Sequence, residues 1–205
     1  MRALILVDLQ RDFCPGGALA VARGDETIGV ANRLLQYFST IVATKDWHPA
    51  NHQSFAAQHP GRKPGDMIEL NGLPQVLWPP HCVQGTHGAE LHNGLEHAKI
   101  TEVFPKGTDP TVDSYSGFFD NGHRRSTGLA DWLRERWISR VYVMGLATDY
   151  CVKATALDAR ELGFDTWVIE DGCRAVELNP GDGDRALAAM RAAGVTIVES
   201  GTIGS

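Results

Sequence analysis

Several reactive side chains in this sequence stand directly after short apolar runs. Asp8 follows the first run, Asp46 and His48 follow the second, Lys106 the third and Cys151 the fourth. Runs of this kind are typical of strands buried on both faces of a parallel sheet, and open parallel sheets bind ligands at the carboxyl ends of their strands. We therefore expect these distant side chains to converge at one edge of a sheet.

A nucleophile, a base and a cation can be assigned within that group. Cys151 lies just inside the start of a predicted helix, where the partial positive charge favours thiolate and free N–H groups can bind an oxyanion. Asp8 would then be the general base and Lys106 the electrostatic partner. Each residue alone also fits a structural role, as a core thiol, a cap or a solvated lysine. Together they favour nucleophilic catalysis.

The segment from Asp46 to His52, with the sequence DWHPANH, resembles half of a metal site. Carboxylate and imidazole groups bind zinc, iron or manganese, and His81 is a plausible third ligand. Cys82 is a weaker candidate, because adjacent residues cannot easily aim both side chains at one ion. Five other histidines are expected at the surface or behind the ligands: His59, His87, His92, His97 and His123.

Four aromatic residues lie in irregular segments near these groups: Phe13, Trp47, Trp78 and Tyr115. An aromatic-lined slot would suit a flat heteroaromatic substrate, although ordinary packing explains any one of these rings equally well.

The elements that must position these groups alternate between strand and helix. The predicted strands are Ala3–Val7, Thr40–Thr44, Ile100–Phe104, Arg140–Met144, Asp165–Ile169 and Val195–Glu199. The predicted helices are Glu26–Phe38, Gly128–Trp137, Asp149–Leu162 and Asp184–Ala193. This alternation predicts an α/β fold of three layers, with a mainly parallel six-stranded sheet and helices on both faces.

One segment, at about 46–98, interrupts the alternation. It holds seven of the eight histidines and six of the ten prolines and has little clear periodicity. Long irregular segments in compact α/β domains are often functional. We interpret residues 1–205 as a single domain with a metal-site insertion at this segment.

Composition and charge limit the partners and the compartment. The chain has 205 residues, a net charge of −6 and no large basic cluster, so nucleic acid and anionic membranes are not expected partners. The first apolar run reaches only five residues before Asp8, which is too short for a signal peptide or a membrane span. No two of the four cysteines have CxxC spacing. We therefore expect a cytoplasmic protein with free thiols.

Four stretches resemble nicotinamidases of the isochorismatase-like cysteine hydrolase superfamily. They are VDLQRDF at 7–13, DWHPANHQSF at 46–55, WPPHCVQGT at 78–86 and GLATDYCV at 145–152. They come in family order across nearly the whole chain. The first and last mark the superfamily, and the two histidine-containing motifs mark the nicotinamidase branch.

The resemblance implies a mechanism. Asp8 accepts the proton of Cys151, and the thiolate attacks the carboxamide carbon of nicotinamide to give a thioester that water hydrolyses. Lys106 stabilises charge between them. The backbone N–H groups of Ala147 and Cys151 form the oxyanion hole, and the Leu146–Ala147 bond is a cis peptide. The products are nicotinate and ammonia, within NAD salvage, and pyrazinamide is an expected side substrate.

The resemblance also implies a cofactor and a substrate slot. Asp46, His48 and His81 bind one divalent metal ion, with zinc favoured over iron or manganese, and it holds the pyridine nitrogen. His52 is a ligand in some relatives and stands behind the ligands in others, and Ser54 contacts the ion's water. Family members often form homo-oligomers. The expected substrate contacts are Phe13, Trp78, Tyr115, Leu146 and Ala147.

Three alternatives share parts of this pattern. An amidase of the same superfamily could act on another carboxamide or carbamoyl substrate. A dinucleotide-binding module would need a GxGxxG turn after the first strand, where this chain has Asp8-Leu9-Gln10-Arg11-Asp12 instead. A scaffold without activity is disfavoured by the complete set of Asp8, Lys106 and Cys151.

Overall fold

A parallel sheet of six strands forms the centre of the computed structural model, which describes residues 1–204. The six strands are β1 (Arg2–Val7), β2 (Ile41–Asp46), β5 (Glu102–Lys106), β6 (Arg140–Leu146), β7 (Asp165–Arg174) and β8 (Thr196–Val198). They lie in the order β5-β2-β1-β6-β7-β8 with parallel pairing throughout. The predicted α/β fold with a six-stranded sheet is confirmed.

Four α-helices connect the strands: α1 (Glu26–Leu34), α2 (Leu129–Glu135), α3 (Lys153–Glu161) and α4 (Asp182–Ala192). The chain runs from β1 outward to β2 and β5, and later from β6 outward to β7 and β8. Right-handed crossovers that run in opposite directions place their helices on opposite faces of a sheet. The order of the strands therefore reverses between β1 and β6, which is where such sheets bind ligands.

The core explains why the central strands carry no polar alternation. Residues 3–7 of β1 and 141–146 of β6 are all buried, as expected for strands covered on both faces. Gly145 in β6 has a φ of 133°, and a Cβ atom there would overlap the carbonyl oxygen of Val7. Only glycine lets β6 lie this close to β1, so the two strands that end at Asp8 and near Cys151 are held side by side.

A two-stranded antiparallel hairpin, β3 (Met67–Leu70) and β4 (Leu73–Val76), lies within the segment expected to be irregular. Its turn is Asn71-Gly72, and both residues have positive φ, 52° and 78°. An Asn-Gly turn between short strands is a strong hairpin signal, because the primed turns need positive φ. The expectation of no regular structure at 46–98 is therefore wrong for residues 67–76.

The other predicted elements differ mainly at their ends. β5 begins two residues later than predicted, at Glu102, and β7 continues five residues further, to Arg174. The added length of β7 pairs Cys173 and Arg174 with the end of β6, beyond an irregularity in the register. The interpretation of the chain as a single domain stays a prediction. Within residues 1–204, no helix is both long and apolar enough to cross a bilayer.

Candidate active site and metal centre

The carboxyl ends of β1, β5 and β6 bring a carboxylate, an ammonium group and a thiol together. The Lys106 Nζ atom lies 2.9 Å from Asp8 Oδ2 and 3.4 Å from Cys151 Sγ. It also donates to the carbonyl oxygen of Ser114 at 2.8 Å and pairs with Asp46 Oδ1. Lys106 thus contacts Asp8, Asp46 and Cys151, which the positions of these residues after the strands predicted to lie close together.

Asp8 is held in a single orientation. Its φ is 50°, a left-handed conformation that few residues other than glycine adopt. Its Oδ1 atom accepts a hydrogen bond from Thr44 Oγ1 at 2.7 Å, while Oδ2 faces Lys106. Thr44 belongs to β2, which pairs with β1. The carboxylate that follows β1 is therefore held in place by a side chain of the neighbouring strand.

Cys151 lies in a turn of π-helix, Thr148–Val152, that leads directly into α3. The sequence predicted that an α-helix begins here, at Asp149. The structure has a turn of the wider π-helix instead, and the α-helix begins at Lys153. The Leu146–Ala147 peptide that precedes it is cis, as the resemblance implied. Ala147 lies at the N-cap of this turn and, like Cys151, lines the cavity described below.

Burial controls the protonation of these groups. It raises the pKa of the Cys151 thiol well above its ordinary value, although Lys106 acts in the opposite direction. Burial also raises the pKa of Asp8, again against Lys106. The resting thiol is therefore protonated, contrary to the thiolate expected from the helix terminus alone. An adjacent carboxylate with a raised pKa is suited to accept that proton.

A second cluster adjoins the first through Asp46. The Oδ2 atom of Asp46 lies 3.6 Å from His48 Nε2 and 3.7 Å from His81 Nε2. Each imidazole pairs through Nδ1 with a backbone carbonyl, that of Gly107 at 2.9 Å for His48 and that of Pro79 at 2.8 Å for His81. Both Nε2 atoms are thereby directed toward the carboxylate.

These residues fit a divalent metal ion. The potential ligand atoms of Asp46, His48 and His81 lie within 4.8 Å of one another, and all three residues are buried. Metal-binding imidazoles commonly bond a carbonyl through the other ring nitrogen, which fixes the tautomer that can ligate. Burial acts to raise the pKa of Asp46, but Lys106 and His48 outweigh it and hold the pKa well below its usual range. A carboxylate is therefore available as a ligand.

His52 lies beside this cluster. Its ring centroid is 4.4 Å from that of His48, and its Nδ1 atom bonds Ser54 Oγ at 2.7 Å. The Nε2 atom is buried without a hydrogen-bond partner. Burial lowers the pKa of His52 to about 4, so the ring is neutral near pH 7. An unpartnered neutral nitrogen beside the cluster is consistent with a metal neighbour, while Ser54 serves to orient the ring.

A small cavity joins the two clusters. Cys151 and Ala147 line one part of it, and Asp46 and His81 line another. Its aromatic wall contains the predicted residues Phe13, Trp78 and Tyr115. Trp78 Nε1 donates to the Tyr115 hydroxyl at 3.2 Å, which locks the two rings together.

Several predicted residues lie elsewhere. Leu146 is fully buried in the core and is not among the residues that line this cavity, so its predicted contact with the substrate stays a prediction. Trp47 stacks on Lys45 instead of on the cavity. Cys82 is buried, and its backbone N–H donates to Asp12 Oδ2 at 2.7 Å. The remaining histidines belong to neither cluster of potential ligands around Asp46 and His52: His59, His87, His92, His97 and His123.

Four residues of the cavity wall were missed by the sequence analysis: Leu19, Asp113, Tyr150 and Val176. Asp113 stands in a stretch without periodicity, and no spacing rule marks it. Tyr150 could have been found, because it is next to Cys151; its ring packs 4.8 Å from that of Trp78. Asp149 was also overlooked: its carboxylate accepts the backbone N–H groups of Val176 and Glu177, each at 2.9 Å.

Comparison with known proteins places this architecture among characterised relatives. Residues 2–201 match the isochorismatase domain family model. The Escherichia coli nicotinamidase is 56% identical over 200 residues, covering 96% of this chain and 93% of that protein. The structure of an Acinetobacter nicotinamidase and pyrazinamidase, 48% identical, superposes with a TM-score of 0.95 over 98% of this chain and 96% of its own. The Pyrococcus horikoshii pyrazinamidase, solved with zinc, is 40% identical with a TM-score of 0.78, covering 97% and 98%.

Proposed function

The chain belongs to the isochorismatase family, and we propose that it is the member that hydrolyses nicotinamide to nicotinate and ammonia. One observation carries the proposal. The cavity that Cys151 opens into is the same one that Asp46 and His81 line, and its wall is aromatic. A thiol and a metal-binding cluster at separate positions of one flat slot suit a carboxamide carried on a nitrogen heterocycle. The relatives named nicotinamidases are similar over nearly the full chain.

Proton transfer from Cys151 to Asp8 begins the reaction. The thiolate attacks the carboxamide carbon, and the C=O pair moves onto oxygen, where the backbone N–H groups of Ala147 and Cys151 are assigned to stabilise it. Asp8 returns the proton to the amide nitrogen as the C–N bond breaks and ammonia leaves. Water then loses a proton to Asp8 and attacks the thioester, which releases nicotinate and restores the thiol.

Lys106 makes this sequence possible at neutral pH. Burial acts to lower the pKa of Lys106, but Asp46 and Asp8 outweigh it and raise the pKa well above its ordinary value. The ammonium is therefore permanent, and it lies 3.4 Å from the Cys151 sulfur. A fixed cation at that distance stabilises the thiolate at the moment it forms, while the Asp8 carboxylate takes up the proton.

Asp46, His48 and His81 would hold a divalent ion, and we assign zinc to it, with His52 as an adjoining residue. When bound, the ion supplies Lewis acidity toward the ring nitrogen of the substrate. Phe13, Trp78 and Tyr115 border the ring and exclude water from the slot. The proposal also places the protein in the cytoplasm, in keeping with its four free cysteines. It further includes assembly as a homo-oligomer and a part in NAD salvage. Light scattering of the purified chain measures the oligomeric state.

Release of ammonia from nicotinamide and from pyrazinamide tests the function directly. We expect turnover of nicotinamide with stoichiometric nicotinate. Cys151→Ala should abolish it while the fold and nicotinamide binding persist, whereas Cys173→Ala, which alters another buried thiol, should retain most of it. Absence of turnover on both substrates would reject the proposed function. Activity in Cys151→Ala close to that of the parent would reject the nucleophile.

A further inference from the structure

Asp113 is a third buried carboxylate at the candidate active site. It is only 3% exposed and lines the cavity with Asp46 and His81. Its Oδ1 atom accepts the backbone N–H of Ser114 at 2.8 Å. Its Oδ2 atom accepts Gln75 Nε2 at 3.0 Å. Both oxygens are thus held by neutral donors, and neither the proposed mechanism nor the ligand set uses the side chain.

Asp113 also lies beside the imidazoles. The potential ligand atoms of His48, His52 and Asp113 fall within 4.8 Å of one another, and all three residues are buried. This group shares His48 with the set of Asp46, His48 and His81. A further observation indicates that this group binds a ligand. Among residues 1–204, His52 is fully buried and its Nε2 atom has no hydrogen-bond partner.

The formal charges around the cavity do not balance. With the imidazoles counted as neutral, the form in which they bind metal ions, Asp8, Asp46 and Asp113 carry three negative charges, and Lys106, which pairs with the first two, carries one positive charge. Within residues 1–204, no Lys or Arg nitrogen lies within ion-pair distance of Asp113. A buried carboxylate without a cation is costly, because desolvation is not offset by attraction. The imbalance of two negative charges equals the charge of one divalent ion.

We propose that the Asp113 carboxylate belongs to the metal centre formed by Asp46, His48 and His81, where it supplies a negative charge that balances a divalent ion. Asp113 then acts on the metal through charge, held in place by Gln75 and the Ser114 N–H. The inference concerns metal affinity, so it stands whether or not nicotinamide is the substrate.

Zinc affinity tests the inference without reference to turnover. Metal-free full-length protein is titrated with Zn²⁺ in competition with a chromophoric chelator, for the parent, Asp113→Asn and Asp113→Ser. We expect the dissociation constant to rise about 10- to 100-fold in both variants, the range measured for residues that support metal ligands. His52→Ala should weaken binding within the same range.

Asp120→Asn is the matched control. Asp120 is similarly buried, and its Oδ1 atom accepts the backbone N–H groups of Gly122 and Arg124, yet it belongs to neither ligand cluster around His48. Its zinc dissociation constant should stay within about twofold of that of the parent, well below the change expected at the centre itself. Circular dichroism of the metal-free proteins shows which variants fold.

The outcomes separate cleanly. Folded Asp113 variants that bind zinc as tightly as the parent would overturn the inference, and so would an equal loss in Asp120→Asn. If Asp113→Asn does not fold, Asp113→Ser decides the question on the same assay. A parent chain that binds zinc as expected but fails to hydrolyse nicotinamide would remove the proposed function and leave this inference standing.

Discussion

The two halves of the candidate site are built in different ways. The nucleophile half consists of Asp8, Lys106 and Cys151, which stand at or just beyond the ends of sheet strands. The metal half consists of Asp46, His48, His52 and His81, of which only Asp46 belongs to a strand. The first half takes its geometry from the ladder of the sheet, whereas the second depends on individual contacts.

Those contacts in the metal half can be named. Isolated bridges join His48 to Val83 and Phe55 to Trp78. The hairpin contributes Gln75, whose side chain donates both to Asp113 and to the Tyr115 hydroxyl. A regular sheet therefore positions several groups with one set of backbone hydrogen bonds. In an irregular segment, each side chain needs its own hydrogen bond or bridge to hold it in place. Mutations should consequently affect the two halves unequally.

Lys106→Met should have the largest effect, because Lys106 contacts both halves. It would leave Asp8 and Asp46 buried without their shared cation. Breaking a buried ion pair by removing one partner costs about 3–5 kcal/mol of unfolding free energy. Denaturant unfolding and the ammonia assay should both report a severe loss. Lys45→Met, one residue before Asp46, removes only a contact with the Trp47 ring and should cost about 1 kcal/mol or less. Equal stability of the two variants would contradict the role of Lys106.

Gly107→Ala should damage the metal half selectively. Gly107 has a φ of 63°, and a Cβ atom there would overlap the His48 ring. We expect weaker zinc binding together with about 1–2 kcal/mol of backbone strain. Gly61→Ala separates the two effects, since φ there is 80° and no atom lies within 4 Å of the added carbon. That control should show the strain alone, with unchanged zinc affinity in the chelator assay. A zinc affinity in Gly107→Ala equal to that of Gly61→Ala would show that the His48 ring adjusts.

Asp149→Asn should have the smallest effect, and this effect should come from a displaced residue of the cavity wall near Cys151. Asp149 holds the backbone N–H groups of Val176 and Glu177, and Val176 lines the cavity. Losing about one hydrogen bond, roughly 1 kcal/mol, should raise KM for nicotinamide about fivefold with little change in kcat. In Glu177→Gln the affected side chain accepts the N–H groups of Gly181 and Gly183, away from the cavity. This second variant should lower thermal stability and leave KM unchanged; a matching rise in KM would argue against a specific role for Asp149.

The contrast between the halves also explains what the sequence could predict. Apolar runs predict the six strands, and parallel topology then places Asp8, Lys106 and Cys151 at one edge of the sheet. The candidate metal ligands were recognisable because DWHPANH and WPPHC are contiguous motifs. The roles assigned to these side chains stay predictions until the variants are measured.

Other features were beyond such rules. Asp113 reaches the site from a stretch without periodicity, and its importance depends on a charge balance that only the assembled cavity displays. The position of Val176 depends on the five residues that β7 adds beyond its apolar run. The hairpin was missed for a different reason: its Asn71-Gly72 turn is visible in the sequence, but each flanking strand has only four residues and the second contains Pro74.

The burial of Cys151 bears on the design of inhibitors. A protonated thiol with 6% exposure reacts slowly with general alkylating reagents, because the thiolate is the reactive species and the approach is narrow. The other three thiols are buried as well, and burial raises the pKa of Cys14 to about 11 and that of Cys173 to about 12. Selective labelling would therefore depend on binding in the aromatic cavity. An electrophile carried on a flat heteroaromatic ring would react with Cys151 and not with the other three cysteines.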